Sequence, residues 1–267
     1  MAETLLALIT AHLLGDFVLQ TRRMVERKRQ LPVLLIHILI VTALTALTLR
    51  GFNHTILAVI FTSHLLLDWI KTRFRKETFA LFLTDQLAHL GFAVLLAGFF
   101  PQASANGWWP DSVPQLLPWF HMGLCLLSGV IVVVPAGGVV IGKLTEPIRE
   151  EAEKIAILGG SGPVAAGPGS SGQPLIDGLQ NGGRYIGWLE RFLTLLLLLI
   201  DQPSGIGFLI TAKSLLRFGE IRESRDRKLA EYIIIGTFMS FAWALTWAVL
   251  TQNAIEYWRR QYEILWH

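Results

Sequence analysis

The chain has 267 residues, of which 52% are apolar and only 16% charged, with a formal net charge of +3. Soluble domains carry about 25% charged residues, and the mean hydropathy here is +0.50. This composition excludes disorder, a fibrous repeat and a soluble enzyme fold, and the single cysteine, Cys125, excludes an internal disulfide or a Cys-based zinc site.

A spanning helix needs about 20 mostly apolar residues. In chain order the sequence offers spans at 4–21, 31–49, 54–71, 79–100 and 116–142, then 184–200, a shorter piece at 204–219, and 230–251. From Phe79 to Gly142 the only charges are Asp85 and Asp111. The expected fold is all-α, a polytopic transmembrane bundle with about 7–8 hydrophobic helices, because a lipid-exposed backbone must bond to itself. The runs do not alternate as barrel strands do. The first segment lacks a basic start and contains His12 and Asp16, so it reads as a span rather than a cleavable signal.

Three parts follow from the spacing: a five-helix membrane domain at 1–142, a flexible linker at 143–183, and C-terminal membrane helices with an amphipathic tail at 184–267. The linker contains the Gly/Ser/Pro-rich stretch 158–174. The piece 204–219 either crosses the membrane or folds back with 184–200 as a half-membrane hairpin. The end, 254–267, holds Tyr257, Trp258, Tyr262 and Trp266 and reads as an interfacial tail.

Basic residues in short loops set orientation. Arg22, Arg23, Arg27, Lys28 and Arg29 mark 22–30, and Lys71, Arg73, Arg75 and Lys76 mark 71–76, whereas 101–115 has no Lys or Arg. The basic loops and the linker 143–183 are expected on the cytoplasmic side, the N-terminus and 101–115 outside. Trp108 and Trp109 suit the outer interface.

Each of the first four spans carries a histidine: His12, His37, His64 and His89. Three have an Asp four residues away, as His12/Asp16, His64/Asp68 and Asp85/His89, which places each pair on one helix face. Gln20 extends the first stripe, Lys71 the second, and Gln86 borders the third. Distances along the chain from the basic loops place all seven side chains in the cytoplasmic half of the bilayer. A mid-membrane Asp costs about 2.5–3.5 kcal/mol, and three at one depth repel one another. Lys71, one turn beyond Asp68, offsets one of them. A divalent zinc, manganese or iron ion offsets more, and His with carboxylate is a ligand set for such ions. His54 and His121 read as interfacial. In the second half, Glu190 and Lys213 form a candidate buried pair.

The metal candidates are therefore His12, Asp16, His64, Asp68, Asp85 and His89. In the leading reading a bound ion activates water for hydrolysis of a lipid-linked or amphiphilic substrate, in a bilayer. Asp16, a spare acid, acts as base, Lys71 binds an anionic headgroup, His37 is a ligand or proton shuttle, and Gln86 borders the site. The same residues also suit a metal-ion or proton transporter, a bis-His haem protein, or an assembly factor whose polar groups only lock the bundle. Nothing points to a nucleic-acid partner.

The motifs AHLLGDFVLQT (11–21), His37, SHLLLDWIK (63–71) and TDQLAHL (84–90) resemble the bacterial membrane-protein family catalogued as domain of unknown function 3307, over roughly residues 4–130. The stretches 182–193, 207–218 and 231–240 look like the C-terminal region of its longer members. The resemblance implies a multi-spanning bacterial inner-membrane protein and supplies no activity. The His/Asp helices are also similar in residue type to bacterial inner-membrane metal-dependent hydrolases.

Overall fold

A computed structural model of the chain describes residues 1–74, 77–108, 114–158, 182–223 and 227–263. Their long elements are all helices: α1 (Ala2–Leu14), α2 (Arg22–Arg27), α3 (Leu31–Leu49), α4 (His54–Lys71), α5 (Phe79–Phe99), α6 (Leu117–Ile131), α7 (Gly137–Leu158), α8 (Gly182–Leu199), α9 (Ser204–Glu223) and α10 (Arg227–Glu263). The all-α class holds.

Among the described residues, five stretches are long and apolar enough to cross a membrane: Ala2–Leu19, Leu31–Leu49, Phe79–Phe99, Pro114–Glu151 and Glu231–Tyr262. That is fewer than the 7–8 expected. α4 and α8 have 18 residues each, but polar groups dilute them: His54, His64, Asp68 and Lys71 in α4, and Arg184, Glu190 and Arg191 in α8. Burial runs opposite to that of a water-soluble bundle. His37, His64, Asp68 and Thr45 lie inside, while Leu47, Leu66, Leu95 and Phe99 face outward. Such a surface suits hydrocarbon, not water.

The chain divides into two compact units, Met1–Ile131 with Asn253–His267, and Val132–Gln252. In the first, α1 packs on α3, α3 on α4, α4 on α5, and α5 returns to α1. The four helices thus share one interior. Side-chain caps fix two of their starts: Asn53 Oδ1 accepts from the Ile56 amide at 3.1 Å and Thr78 Oγ1 from the Leu81 amide at 3.2 Å. Pro32 sits in the first turn of α3, where no amide donor is needed. One part of the interior is apolar, built from Ala7, Leu8, Leu49, Ile56, Ala93 and Leu96.

α1 runs into a π turn over Gly15–Leu19. Such a turn holds an extra residue and shifts the side chains that follow. It lies at the closest approach of α1 to α3, where a Cβ on Gly15 would sit 2.5 Å from Val41 Cγ2. Gly15→Ala should therefore destabilise the unit by about 1–3 kcal/mol through overpacking. A double-mutant cycle with Val41→Ala, read by thermal unfolding, should show coupling between the two positions. Additive losses would mean that this contact does not set the cost.

The expected interfacial tail is helical as far as Glu263, and its Trp258 and Tyr262 pack against Cys125, while Trp266 lies outside the described residues. His121, expected near the interface, is enclosed by the protein. It is fully buried, shares a 2.6 Å hydrogen bond between Nδ1 and the Tyr262 hydroxyl, and stacks on Trp258 with centroids 4.6 Å apart. Its partners lie over 130 residues away in sequence, beyond the reach of local pattern.

In the second unit a π turn over Val132–Ala136 contains Pro135. Side chains take up carbonyls of this turn: Trp243 Nε1 donates to the Val132 carbonyl at 2.9 Å, and Arg191 Nη2 to that of Val134 at 3.0 Å. The guanidinium fits because its neighbours lack side chains. A Cβ on Gly138 would sit 3.1 Å from Nη2, and one on Gly187 3.2 Å from Nη1. Beside it, Glu190 and Lys213 form the ion pair expected from the sequence. Asp201, in the turn between α8 and α9, takes a left-handed φ of 54°. Residues 143–158 of the expected linker belong to α7. Its stretch 159–181 lies outside the described residues, as do Trp109, Asp111, Arg75 and Lys76.

Candidate metal centre

The structure brings together every His and Asp singled out in the first four spans. His12 comes from α1, Asp16 from the π turn, His37 from α3, His64 and Asp68 from α4, and Asp85 and His89 from α5. None of the seven side chains is more than 8% exposed.

At the centre lies a triangle. His37 Nε2 and His64 Nε2 are 3.3 Å apart, and Asp16 Oδ1 is 3.3 Å from each. Asp68 Oδ2 faces the same two nitrogens at 3.6 and 3.9 Å. Ligands held at about 2.0–2.1 Å around a tetrahedral ion are separated by about 3.3–3.4 Å. The triangle has that edge on all three sides. Its carboxylate oxygens are otherwise costly: Asp16 Oδ1 and Asp68 Oδ2 are buried and have no hydrogen-bond partner among the described residues. Buried orphans of this kind call for an explanation such as an ion.

The outer oxygens of both acids are engaged. Gln86 Nε2 donates to Asp16 Oδ2 at 3.2 Å, and Lys28 Nζ to Asp68 Oδ1 at 2.7 Å. Each acid is thus anchored by one oxygen and presents the other to the two nitrogens. Gln86 is oriented in turn by His12, whose Nε2 faces its Oε1 at 3.2 Å. Outer partners of this sort orient ligands in metal sites.

Several expectations change in detail. The His12/Asp16 stripe is broken by the π turn: His12 Nδ1 stands 4.0 Å from Asp16 Oδ2, and Asp16 turns to His37 and His64. His37, with no acid on its own helix face, is a member of the central triangle. Lys71 offsets one of the three acids, as expected, and that acid is Asp85 rather than the Asp68 of its own helix. Its ammonium pairs with Asp85 Oδ2 and Glu77 Oε1, both at 2.7 Å. Asp68 is offset by Lys28, which the sequence offered only as one of five basic residues setting orientation. Its position three residues before α3, on the loop beside the site, was the available signal.

His89 and Asp85 form a second group. One ligand atom from each of Asp68, Asp85 and His89 lies within 4.8 Å of the others, as do those of His12, Asp16 and His64, and of His37, His64 and Asp68. The four imidazoles pack closely. Their centroids are 5.3 Å apart for His37 and His64, 4.1 Å for His64 and His89, and 5.1 Å for His12 and His89. A small cavity beside them is lined by His12, His64, His89, Thr45 and Ser63 and ends against Leu8 and Ala93.

An all-helical chain with long apolar helices, and with acids and imidazoles turned inward, is the build of a polytopic membrane protein. The family model described as protein of unknown function (DUF3307) matches residues 4–110. The matched segment contains all seven residues of the cluster, together with Lys28, Lys71 and Gln86, and bears out the resemblance read from the motifs. No curated protein and no solved structure matches the chain.

Proposed function

We propose that the first unit is a metal-dependent membrane hydrolase acting on a lipid-linked or amphiphilic substrate. It works at the cytoplasmic face of a bacterial inner membrane, with the N-terminus outside and 143–183 inside. The observation that carries this reading is the 3.3 Å triangle of His37 Nε2, His64 Nε2 and Asp16 Oδ1. Two imidazoles and a carboxylate are a hydrolytic ligand set for zinc and suit iron or manganese. Asp68, whose oxygen stands farther off at 3.6 and 3.9 Å, would complete the ligand set. A bound ion supplies an acidified water and a polarised scissile bond. Asp68, whose other oxygen accepts from Lys28, would take up the proton of that water. Lys71, near the same face, draws the anionic end of the substrate toward the site.

Other readings are less well supported. A through-path for ions needs polar lining beyond the site. Yet Thr42, Thr45 and Thr48 donate to carbonyls of their own helix at 2.8–2.9 Å, and the apolar group around Leu8 and Ala93 lies beyond them. Imidazole centroids 4.1–5.3 Å apart favour a bare ion over a haem.

The test is elemental analysis of detergent-purified protein. At least one transition-metal ion per chain is expected, removed by chelator and restored by zinc, manganese or iron. Protein that retains none after reloading would overturn the reading. Gln86→Leu, which frees the outer oxygen of Asp16, should weaken metal affinity about 10–100-fold without abolishing it, as measured by competition with a chromophoric chelator.

A further inference from the structure

Lys28 and Lys71 are the only ammonium groups seated on the cluster among the described residues. Each lies 2.7 Å from one carboxylate oxygen, Lys28 on Asp68 Oδ1 and Lys71 on Asp85 Oδ2. These two acids form, with His89, a triad whose ligand atoms lie within 4.8 Å of one another. The triad shares Asp68 with the triangle of His37, His64 and Asp16.

His89 is the informative member. Its Nδ1 lies 2.8 Å from the Asp85 backbone carbonyl. A carbonyl only accepts, so Nδ1 carries the proton and Nε2 carries a lone pair. The residue is 6% exposed, its ring lies against that of His64 with centroids 4.1 Å apart, and Nε2 has no hydrogen-bond partner among the described residues. A ring whose Nδ1–H is spent on a backbone carbonyl and whose Nε2 lone pair is buried is oriented as metal-bound histidines are.

Charge points the same way. Two ammonium groups carry the charge of one divalent ion, so exchanging both for such an ion leaves the net charge of the cluster unchanged. The exchange is sterically open, because the lysine side chains are 12% and 21% exposed and sit on long flexible stems. A carboxylate that serves two ions, with the ions about 3.5–4 Å apart, is the arrangement of two-ion hydrolytic sites.

We infer that the cluster is a two-ion centre: one divalent ion on His37, His64 and Asp16, a second on Asp85 and His89, bridged by Asp68, with Lys28 and Lys71 occupying the place of the second ion when it is absent. This rests on the reading of the triangle as a metal site, and adds a second ion to it.

Manganese titration of metal-stripped protein in detergent, followed by electron paramagnetic resonance, tests it. Two ions per chain are expected, with the exchange-coupled spectrum of a close pair. His89→Ala should lower the count from two to one and remove the coupling. Lys71→Met should tighten the weaker ion about 10-fold or more, and this second variant keeps the test open if His89→Ala does not fold. A count of one with an uncoupled spectrum, unchanged by His89→Ala or Lys71→Met, would overturn the two-ion centre and leave the one-ion reading standing. A count of zero would overturn both.

Discussion

Asp16→Asn should raise the stability of the metal-free protein and abolish tight metal binding in the same molecule. The substitution keeps the shape of the side chain and its contact with Gln86. It removes a negative charge from a site where Asp16 Oδ1 and Asp68 Oδ2 are buried without hydrogen-bond partners and converge on the same two nitrogens. Relief of that repulsion should be worth about 1 kcal/mol, the usual scale for removing a functional strain. Loss of one of three ligands should weaken metal binding at least 100-fold, more than the 10–100-fold typical of outer partners. Thermal unfolding with and without zinc reads both effects. At a free metal concentration about 100 times Kd the wild type should gain about 2.7 kcal/mol, and the variant almost nothing. If Asp16 served only to lock helices together, the signs would reverse: the variant would be the less stable protein, and metal would stabilise neither.

The parts of this centre that the sequence displayed are those with a local period. His64/Asp68 and Asp85/His89 are four residues apart on continuous helices, and α4 and α5 deliver them as the period demands. The apolar runs likewise displayed the helices, because lipid leaves the backbone no other way to satisfy itself. What stayed hidden depends on tertiary placement. The π turn at Gly15–Leu19 has no signature stronger than a glycine, yet it turns Asp16 away from His12 and toward His37 and His64. Lys28 differs in no composition statistic from the other basic residues of its loop. Only the tertiary contact of Lys28 with Asp68 tells which ammonium reaches that acid. The burial of His121 stayed hidden for the same reason, since it is made by the far end of α10.

The lysine exchange also bears on how such a cluster is inserted into a membrane. Three carboxylates at one depth would each cost about 2.5–3.5 kcal/mol on insertion. Lys28, just after α2, and Lys71, the last residue of α4, offset two of them within the protein. The third, Asp16, is left with the Gln86 amide and the imidazoles. On the two-ion proposal, that asymmetry would make the triangle around Asp16 the position filled first.

In the second unit, Glu190→Gln should cost about 3–5 kcal/mol, the usual penalty for removing one partner of a buried ion pair. The Glu190 and Lys213 side chains are only 10% and 12% exposed. Arg191 is next in sequence and equally buried, fixed by the Val134 carbonyl and by Ser240 Oγ at 3.3 Å. Glu190 is therefore the anion for two cations. Its loss removes that anion from both, while the ring of Phe241, 5.6 Å from Lys213 Nζ, remains among the contacts of that ammonium. Lys213→Met removes one cation and leaves Glu190 beside Arg191, so its cost should be smaller. Glu190→Leu with Lys213→Met removes both charges of the pair and replaces them with apolar volume. That double variant should be more stable than Glu190→Gln, because desolvation of the pair offsets most of its attraction. Thermal unfolding of the four proteins in one detergent orders them. Equal losses for all three variants would mean that packing, rather than charge, sets the cost at this site.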